Sequence, residues 1–394
     1  MAKVAFTNNQ SYLGRYSDLE DYQIAKFNAK DGIIRLVYDQ KEAGRGFDPE
    51  RSAWSVTITL SKLDTYKPDH GDYAGETLIT NGKVNRIEWF DKAGKTQVKM
   101  TDIGLEAGLF HQYLREDPNK LYANLVADNS TFTGPKSANS GVDVTTGAGN
   151  DVVNAGPGGS YIKDAGGADR YIGTDSDRWD SVAYDQWNRT DQPLNRGVDV
   201  NLAKKRAVGP DGKVDKLVDI ERVIGTNRKD TLSGDGDDNA FVGLRGRDVI
   251  NGRGGDDRVQ YYQDAGAGGY DGIVANLITG KIRDGFGTLD QVTKIEEVEG
   301  TDTDDIFIGN EVDNWFRGRD GADRFVFKGR DFGTDYVDDF SRSDGDKIEI
   351  LAADRIRDLT ITHQSSGTWI ELNDDSKVFL VDWTADLRGS DFFF

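Results

Sequence analysis

The chain has 394 residues, with 69 acidic against 49 basic side chains and a net charge of −20. That balance excludes a nucleic-acid partner, whose phosphates it repels, and suits a protein that needs cations to neutralise it. Cysteine is absent, so disulfides and thiolate metal sites are excluded, and no apolar run is long enough for membrane insertion or a pore.

Charge and glycine are unevenly spread. Residues 1–135 carry 17 basic and 19 acidic side chains and 11 glycines; residues 136–394 carry 32, 50 and 36. A boundary near Thr133-Gly134-Pro135 follows. The expected fold class is mainly β. A small β-rich (α+β) domain occupies 1–135. Glycine-rich β-roll segments follow at 136–175, 176–260 and 261–330, with a β cap at 331–394.

Within 1–135, Ile33–Tyr38 and Trp54–Leu60 alternate β-branched and aromatic residues as strands do. Val84–Phe90 and Thr96–Ile103 flank the turn Asp91-Lys-Ala-Gly-Lys95 and form a hairpin. Leu105–Leu114 and Leu121–Ala127 read as helices, broken at Asp117-Pro118. No zinc H-E-x-x-H, nucleophile elbow or P-loop is present. Asp69, His70 and Asp72 make a candidate polar site, against the plainer reading of a solvated turn. Trp54 and Trp89 make a candidate sugar platform, against the plainer reading of strand core.

From residue 146 the chain falls into nine-residue units. Three start at Thr146, Ala155 and Asp164, four at Gly225, Gly234, Gly243 and Gly252, and three at Gly300, Gly309 and Gly318. Their sixth places hold Asp151, Ser160, Asp169, Asp230, Asn239, Asp248, Asp257, Asp305, Asn314 and Asp323. Their eighth places hold Val153, Ile162, Tyr171, Leu232, Phe241, Ile250, Val259, Phe307, Phe316 and Phe325. A disordered linker lacks such an apolar column. The reading is a parallel roll: glycine gives a positive-φ turn, the carboxylate gives hard oxygen, and the apolar residue gives a core.

A longer repeat is superimposed. Gly197–Leu202 matches Gly272–Leu277, Ile220–Thr226 matches Ile295–Thr301, and Asp238–Phe241 matches Asp313–Phe316, each 75 residues apart. Each copy is expected to begin with short strands (Val198 to Leu202, Lys216 to Val223) before its nonapeptides.

Several Ca²⁺ ions are the expected cofactor. The candidate ligands are Asp151, Asp169, Asp230, Asn239, Asp248, Asp257, Asp305, Asn314 and Asp323. To these are added the turn residues Gly147, Gly149, Gly234, Gly236, Gly252, Gly254, Asp235, Asp237 and Asp320. Two three-residue strands per coil bury too little to offset ordering entropy, and stacked carboxylates repel. Calcium turns that repulsion into a cross-link, so folding and binding are expected to be one event. Ser160 in the carboxylate column predicts a weak or missing ion there.

Thr146-Gly-Ala-Gly-Asn-Asp151-Val-Val-Asn and Gly252-Arg-Gly-Gly-Asp-Asp257-Arg-Val-Gln resemble the repeats-in-toxin (RTX) consensus G-G-x-G-x-D-x-U-x. The resemblance covers about residues 136–394. Gly225-Thr-Asn-Arg-Lys-Asp230 departs from it, and fewer ions than in a regular array are expected. Asp335–Phe340 and Gly345–Ile350 resemble the segment that closes such rolls, while Trp369–Leu372 and Lys377–Val381 form a hairpin over Asn373-Asp-Asp-Ser. Asp391-Phe-Phe-Phe394 resembles a type I secretion signal, and Met1–Gln10 lacks the apolar region of a secretory leader.

The resemblance implies an exported protein, free in the extracellular medium or held at the cell surface, that meets the type I secretion apparatus on its way out. The preferred function is a non-enzymatic calcium-dependent scaffold for adhesion, matrix or surface-layer-like self-assembly. The alternative is a secreted hydrolase, lyase or epimerase, or a glycan-binding module, with its active region in 1–135.

Overall fold

The structure is a computed structural model. It describes residues 2–6, 22–28, 33–38, 55–66, 78–90, 96–101, 103, 129–134, 141–176, 178–185 and 196–394. The helices expected at 105–114 and 121–127 lie outside these residues, as do Trp54, Asp69, His70, Asp72 and the side chain of Trp89. The chain is mainly β and forms two compact units, Met1–Ala183 with Asp211–Ile220, and Tyr184–Pro210 with Glu221–Phe394.

In the first unit, Tyr22–Asn28, Ile33–Tyr38, Ser55–Tyr66, Leu78–Phe90 and Thr96–Thr101 pair antiparallel in succession. The expected hairpin is present, with Trp89 opposite Val98. Ile58, Leu60, Val84, Ile87 and Met100 fill its core. Ala2–Phe6 pairs with Thr96–Thr101 and, in parallel, with Ser130–Thr133. Ser130–Thr133 in turn pairs in parallel with Val152–Asn154, the first nonapeptide strand.

From there the chain coils. Val152–Asn154 pairs with Arg170–Ile172, eighteen residues on, while Tyr161–Lys163 lies in the opposite sheet beside Asp143–Thr145 and Ser181–Ala183. In the second unit Thr231–Ser233 pairs with Val249–Asn251 on one sheet, and Ala240–Val242 with Arg258–Gln260 on the other. Ile306–Ile308 and Arg324–Phe327 repeat the pattern. Successive nonapeptides therefore alternate between sheets, two to a coil, as a parallel roll requires. All ten eighth-place residues are fully buried. Phe307 and Phe325 stack with centroids 5.2 Å apart, and Phe316 lies 5.4 Å from Phe307.

The 75-residue duplication is carried into the backbone. Asp199–Asn201 recurs as Val274–Asn276, Arg206–Val208 as Lys281–Arg283, and Val214–Val218 as Leu289–Thr293. Left-handed residues recur at the same spacing: Lys205 with Gly280, Gly212 with Gly287, Asp219 with Lys294, and Leu244 with Arg319. The strand expected over Lys216–Val223 is two strands, Val214–Val218 and Arg222–Ile224, parted by left-handed Asp219 (φ 51°).

The role expected of the first-place glycine is corrected. None of Gly225, Gly234, Gly243, Gly252, Gly300, Gly309 and Gly318 has a positive φ. They are glycine for space: a Cβ on Gly252 would lie 2.2 Å from Asp257 Oδ2 and 2.1 Å from the Lys294 carbonyl oxygen. Positive φ falls elsewhere in the turn, at the second place (Leu244, Arg253, Arg319), the fourth (Gly167, Gly255, Gly321), the third (Gly166) or the fifth (Gly159).

The second unit ends in a sheet extension. Gly333–Val337 pairs with Ser376–Val381, which forms a hairpin with Gly367–Asn373. Lys347–Ile350 continues the other sheet. Asp391 is buried against Arg342, with Arg342 Nε 2.7 Å from Asp391 Oδ1.

Candidate functional site

The roll positions its carboxylates by one recurring rule. Wherever a regular turn stacks on another eighteen residues earlier in the same column, in four cases, its sixth-place side chain uses Oδ1 to accept the backbone N–H of the sixth-place residue one coil earlier. Asp169 takes it from Asp151 (2.6 Å), Asp248 from Asp230 (2.8 Å), Asp257 from Asn239 (2.9 Å) and Asp323 from Asp305 (2.8 Å). The side chains lie inside the turns, each 3 % exposed or less. The columns extend beyond the nonapeptides. Asp215 accepts from Asp169, Asp290 from Asp248, Asp335 from Asn314, and Asp346 from Asp323. Sequence reading missed these four. Each stands two residues before a buried strand centre (Leu217, Val292, Val337, Ile348), so the pattern Asp-x-apolar was the available signal; their turns simply lack the nine-residue length.

All the turns except those of Ser160 and Asp169 fall into two kinds by where the second-place N–H goes. In the first, the second-place N–H closes the turn on the side chain. Gly147 donates to Asp151 Oδ2, Thr226 to Asp230 Oδ2, Thr301 to Asp305 Oδ2, Asp235 to Asn239 Oδ1 and Asn310 to Asn314 Oδ1, at 2.7–2.9 Å. The hydroxyls of Thr226 and Thr301 add a further bond to Asp230 and Asp305. The oxygens of these side chains are satisfied by the protein, while the Asn314 amide nitrogen has no hydrogen-bond partner among the described residues.

In the second kind, the second-place residue is left-handed and its N–H does not reach the carboxylate. These are the turns of Leu244, Arg253 and Arg319; the Arg319 N–H goes to Asp339 instead. Asp248, Asp257 and Asp323 then each have a buried Oδ2 with no hydrogen-bond partner among the described residues, as does Asp335. Such an atom is costly. Burial, with Asp305 and Asp346 adding, pushes the Asp323 carboxyl up to about 8. Burial and Asp313 push Asp335 up to about 8, and burial with Glu296 and Asp238 pushes Asp257 up to about 7. Burial raises Asp248 strongly, and Asp230 and Asp290 raise it further. Protonation removes the charge but leaves the new O–H without an acceptor. A hard cation resolves both faults at once.

The first unit holds an acidic cluster. Oxygens of Asp164, Asp169 and Asp215 lie within 4.8 Å of one another. The Tyr171 hydroxyl is 2.7 Å from both Asp164 Oδ2 and Asp169 Oδ2, and its single proton serves only one. Burial raises the Asp169 carboxyl strongly, and Asp164 and Asp151 add to it. Of this trio only Asp169 was a sequence candidate. Asp164 occupies a first place where glycine was expected.

The other candidates fall as follows. Ser160 fills its column place with a hydroxyl that accepts the Val142 N–H at 2.9 Å. The Gly149 carbonyl faces the next turn, 1.9 Å from where a Cβ on Gly167 would sit. Gly234 closes against Asn239, while Gly236 is open on all sides and Gly254 nearly so. Asp235 caps its own turn by accepting the Asp237 N–H at 3.1 Å, and Asp237 and Asp320 are exposed.

No protein-family model matches the chain, and no curated protein matches it. Among solved structures it is similar to the extracellular lipase LipA of Serratia marcescens, at 15 % identity and a TM-score of 0.16, over 44 % of this chain and 40 % of the lipase. The match therefore spans less than half of that lipase's length, and a likeness of this size fixes neither fold nor activity. No helix among the described residues is long and apolar enough to cross a membrane.

Proposed function

We propose that the chain is an RTX-type secreted calcium-binding protein whose roll is completed by Ca²⁺, and that the finished roll acts as a non-enzymatic extracellular scaffold. The supporting observation is the set of fully buried, partnerless Oδ2 atoms of Asp248, Asp257 and Asp323 in the three turns with a left-handed second residue. Calcium takes six to eight oxygens from carboxylates and carbonyls, and these turns offer only oxygen. Asp248, Asp257 and Asp323 would be the principal ligands, with turn carbonyls beside them. Bound calcium supplies positive charge and coordination; the chain supplies the cavity, the carboxylate and the coil stacking that holds both.

Residues 1–135 are proposed as a distinct module ahead of the roll. The type I route and an extracellular location follow from the same reading: a chain that lacks calcium in the cytosol stays open for export, then closes outside. Far-ultraviolet circular dichroism in EGTA and in millimolar calcium tests this. Strand signal that grows on adding calcium supports it; a spectrum identical in both media refutes it.

A further inference from the structure

The end of the second unit carries a row of aromatic side chains that neither the acidic turns nor the core explains. Trp315, Tyr336, Phe379 and Trp369 stand on four neighbouring strands, Trp315–Arg317, Gly333–Val337, Ser376–Val381 and Gly367–Asn373. The register sets them in one line: Trp315 is opposite Tyr336, Tyr336 opposite Phe379, and Phe379 opposite Trp369. Their strand neighbours Phe316, Val337, Leu380 and Ile370 are 0 % exposed and belong to the core. Side chains alternate along a strand, so the four rings lie on the outer face. Trp315, Tyr336 and Trp369 are half-buried, and Phe379 is 9 % exposed among them.

The rings form a corner. Trp315 and Tyr336 stack with centroids 4.8 Å apart and planes 12° apart. Trp369 and Phe379 are turned 66° and 72° from Tyr336, at 6.2 and 6.1 Å, and lie 4.6 Å from each other. Polar side chains border the row. Glu297 continues the line beyond Trp315 and pairs with Arg258. Arg317 Nε is 3.3 Å from Asp338 Oδ2 on one flank, and Lys377 is opposite Thr334 and Glu371 on the other. The roll itself does not require these aromatics. In the first copy, 75 residues earlier, Ala240 holds the place of Trp315, between Arg222 and Arg258.

An aromatic line with polar borders matches the chemistry of an extended glycan. A sugar ring packs its apolar C–H face on an aromatic ring and turns its hydroxyls to polar neighbours. Neighbouring strands lie about 4.8 Å apart, close to the length of one sugar unit, so the line of four runs about 14 Å along such a chain. Charge narrows the class. Arg258 is matched by Glu297, Arg317 by Asp338, and Lys377 stands opposite Glu371. A face whose charges are matched within itself suits an uncharged partner, and the net charge of −20 repels an anionic one.

We propose that this face binds an uncharged, β-linked polysaccharide, whose sugars run across the strands in the corner made by Trp315, Tyr336 and Trp369. It lies outside residues 1–135, where the sequence places its candidate sugar platform. The site gives the scaffold reading a partner and depends on the folded sheet, not on which cation completes the turns.

Affinity electrophoresis of the full chain in calcium tests it, in gels cast with hydroxyethyl cellulose, glucomannan or carboxymethyl cellulose. The parent is expected to be retarded by a neutral glycan and not by the anionic one. Trp315→Ala, which reproduces the residue of the first copy, and Trp369→Ala should each weaken retardation about tenfold with an unchanged circular dichroism spectrum, while Trp369→Tyr keeps most of it. If Trp369→Ala does not fold, Trp315→Ala decides. A parent retarded by neither neutral glycan overturns the proposal. So does retardation that is equal in carboxymethyl cellulose, that survives Trp315→Ala, or that is lost in Trp54→Ala. A parent chain whose circular dichroism ignores calcium removes the calcium reading and leaves this test standing.

Discussion

Asp323→Asn should change stability in opposite directions with and without calcium. Asp323 is 1 % exposed and its carboxyl is pushed from 3.8 up to about 8, first by burial. At pH 7 the unfolded chain has this group ionised, while the calcium-free fold must either protonate it or bury the charge. At about 1.4 kcal/mol per pKa unit, the cost is about 4 kcal/mol. Asparagine cannot ionise, but it puts an amide where Oδ2 has no partner, at a cost of about 2 kcal/mol. The variant should therefore stabilise the calcium-free fold by about 2 kcal/mol. The chain already tolerates this residue in the column at Asn239 and Asn314. In calcium the same change removes a ligand and should lower stability. Urea unfolding in EGTA and in calcium reads both signs. Loss of stability in both media would refute the reasoning, because it would make Asp323 a structural side chain with no tie to an ion.

The raised carboxyls also set a pH dependence. Asp257, Asp323 and Asp335 bind protons more tightly folded than unfolded. The calcium-free fold is thus favoured at low pH and weakens as pH rises from about 4 to about 8; circular dichroism in EGTA should show strand signal at pH 5 that fades by pH 8, and a signal that strengthens over that range contradicts the account. Gly252→Ala sets a Cβ against a backbone carbonyl and Asp257, whereas Gly236→Ala meets nothing within 4 Å. Thermal unfolding should show a loss of several kcal/mol for the first and about 0.5 kcal/mol or less for the second; equal effects would show that the close approach is not what selects glycine. Phe316→Ala removes a fully buried ring in contact with Phe307, Phe325 and Phe327 and should cost about 3–5 kcal/mol in urea unfolding; a cost below about 1 kcal/mol would place the ring outside a packed core.

Much of the roll was legible because two independent constraints share one period. A coil of two nonapeptides has a fixed length, so every eighth-place residue from Val153 to Phe325 must point inward, and each does. The duplication was legible for the same reason: residues 75 apart occupy equivalent coils. Backbone handedness was not legible. Leu244, Arg253 and Arg319 are left-handed although L side chains disfavour that region, and nothing in their identity announces it. Yet that handedness separates turns that satisfy their own carboxylate from turns that leave it open. Asp290 and Asp335 were hidden because irregular turns precede them, although their hydrogen bonds match those of the regular places.

The central claim is that the open oxygens of Asp248, Asp257 and Asp323 are seats for calcium. It is tested most directly by the thermal midpoint of the full chain as a function of free calcium. An ion that binds only the folded state raises stability with the logarithm of its concentration, once per site. The account predicts a steep rise whose slope corresponds to three or more ions. A midpoint that is the same in EGTA and in millimolar calcium would contradict it.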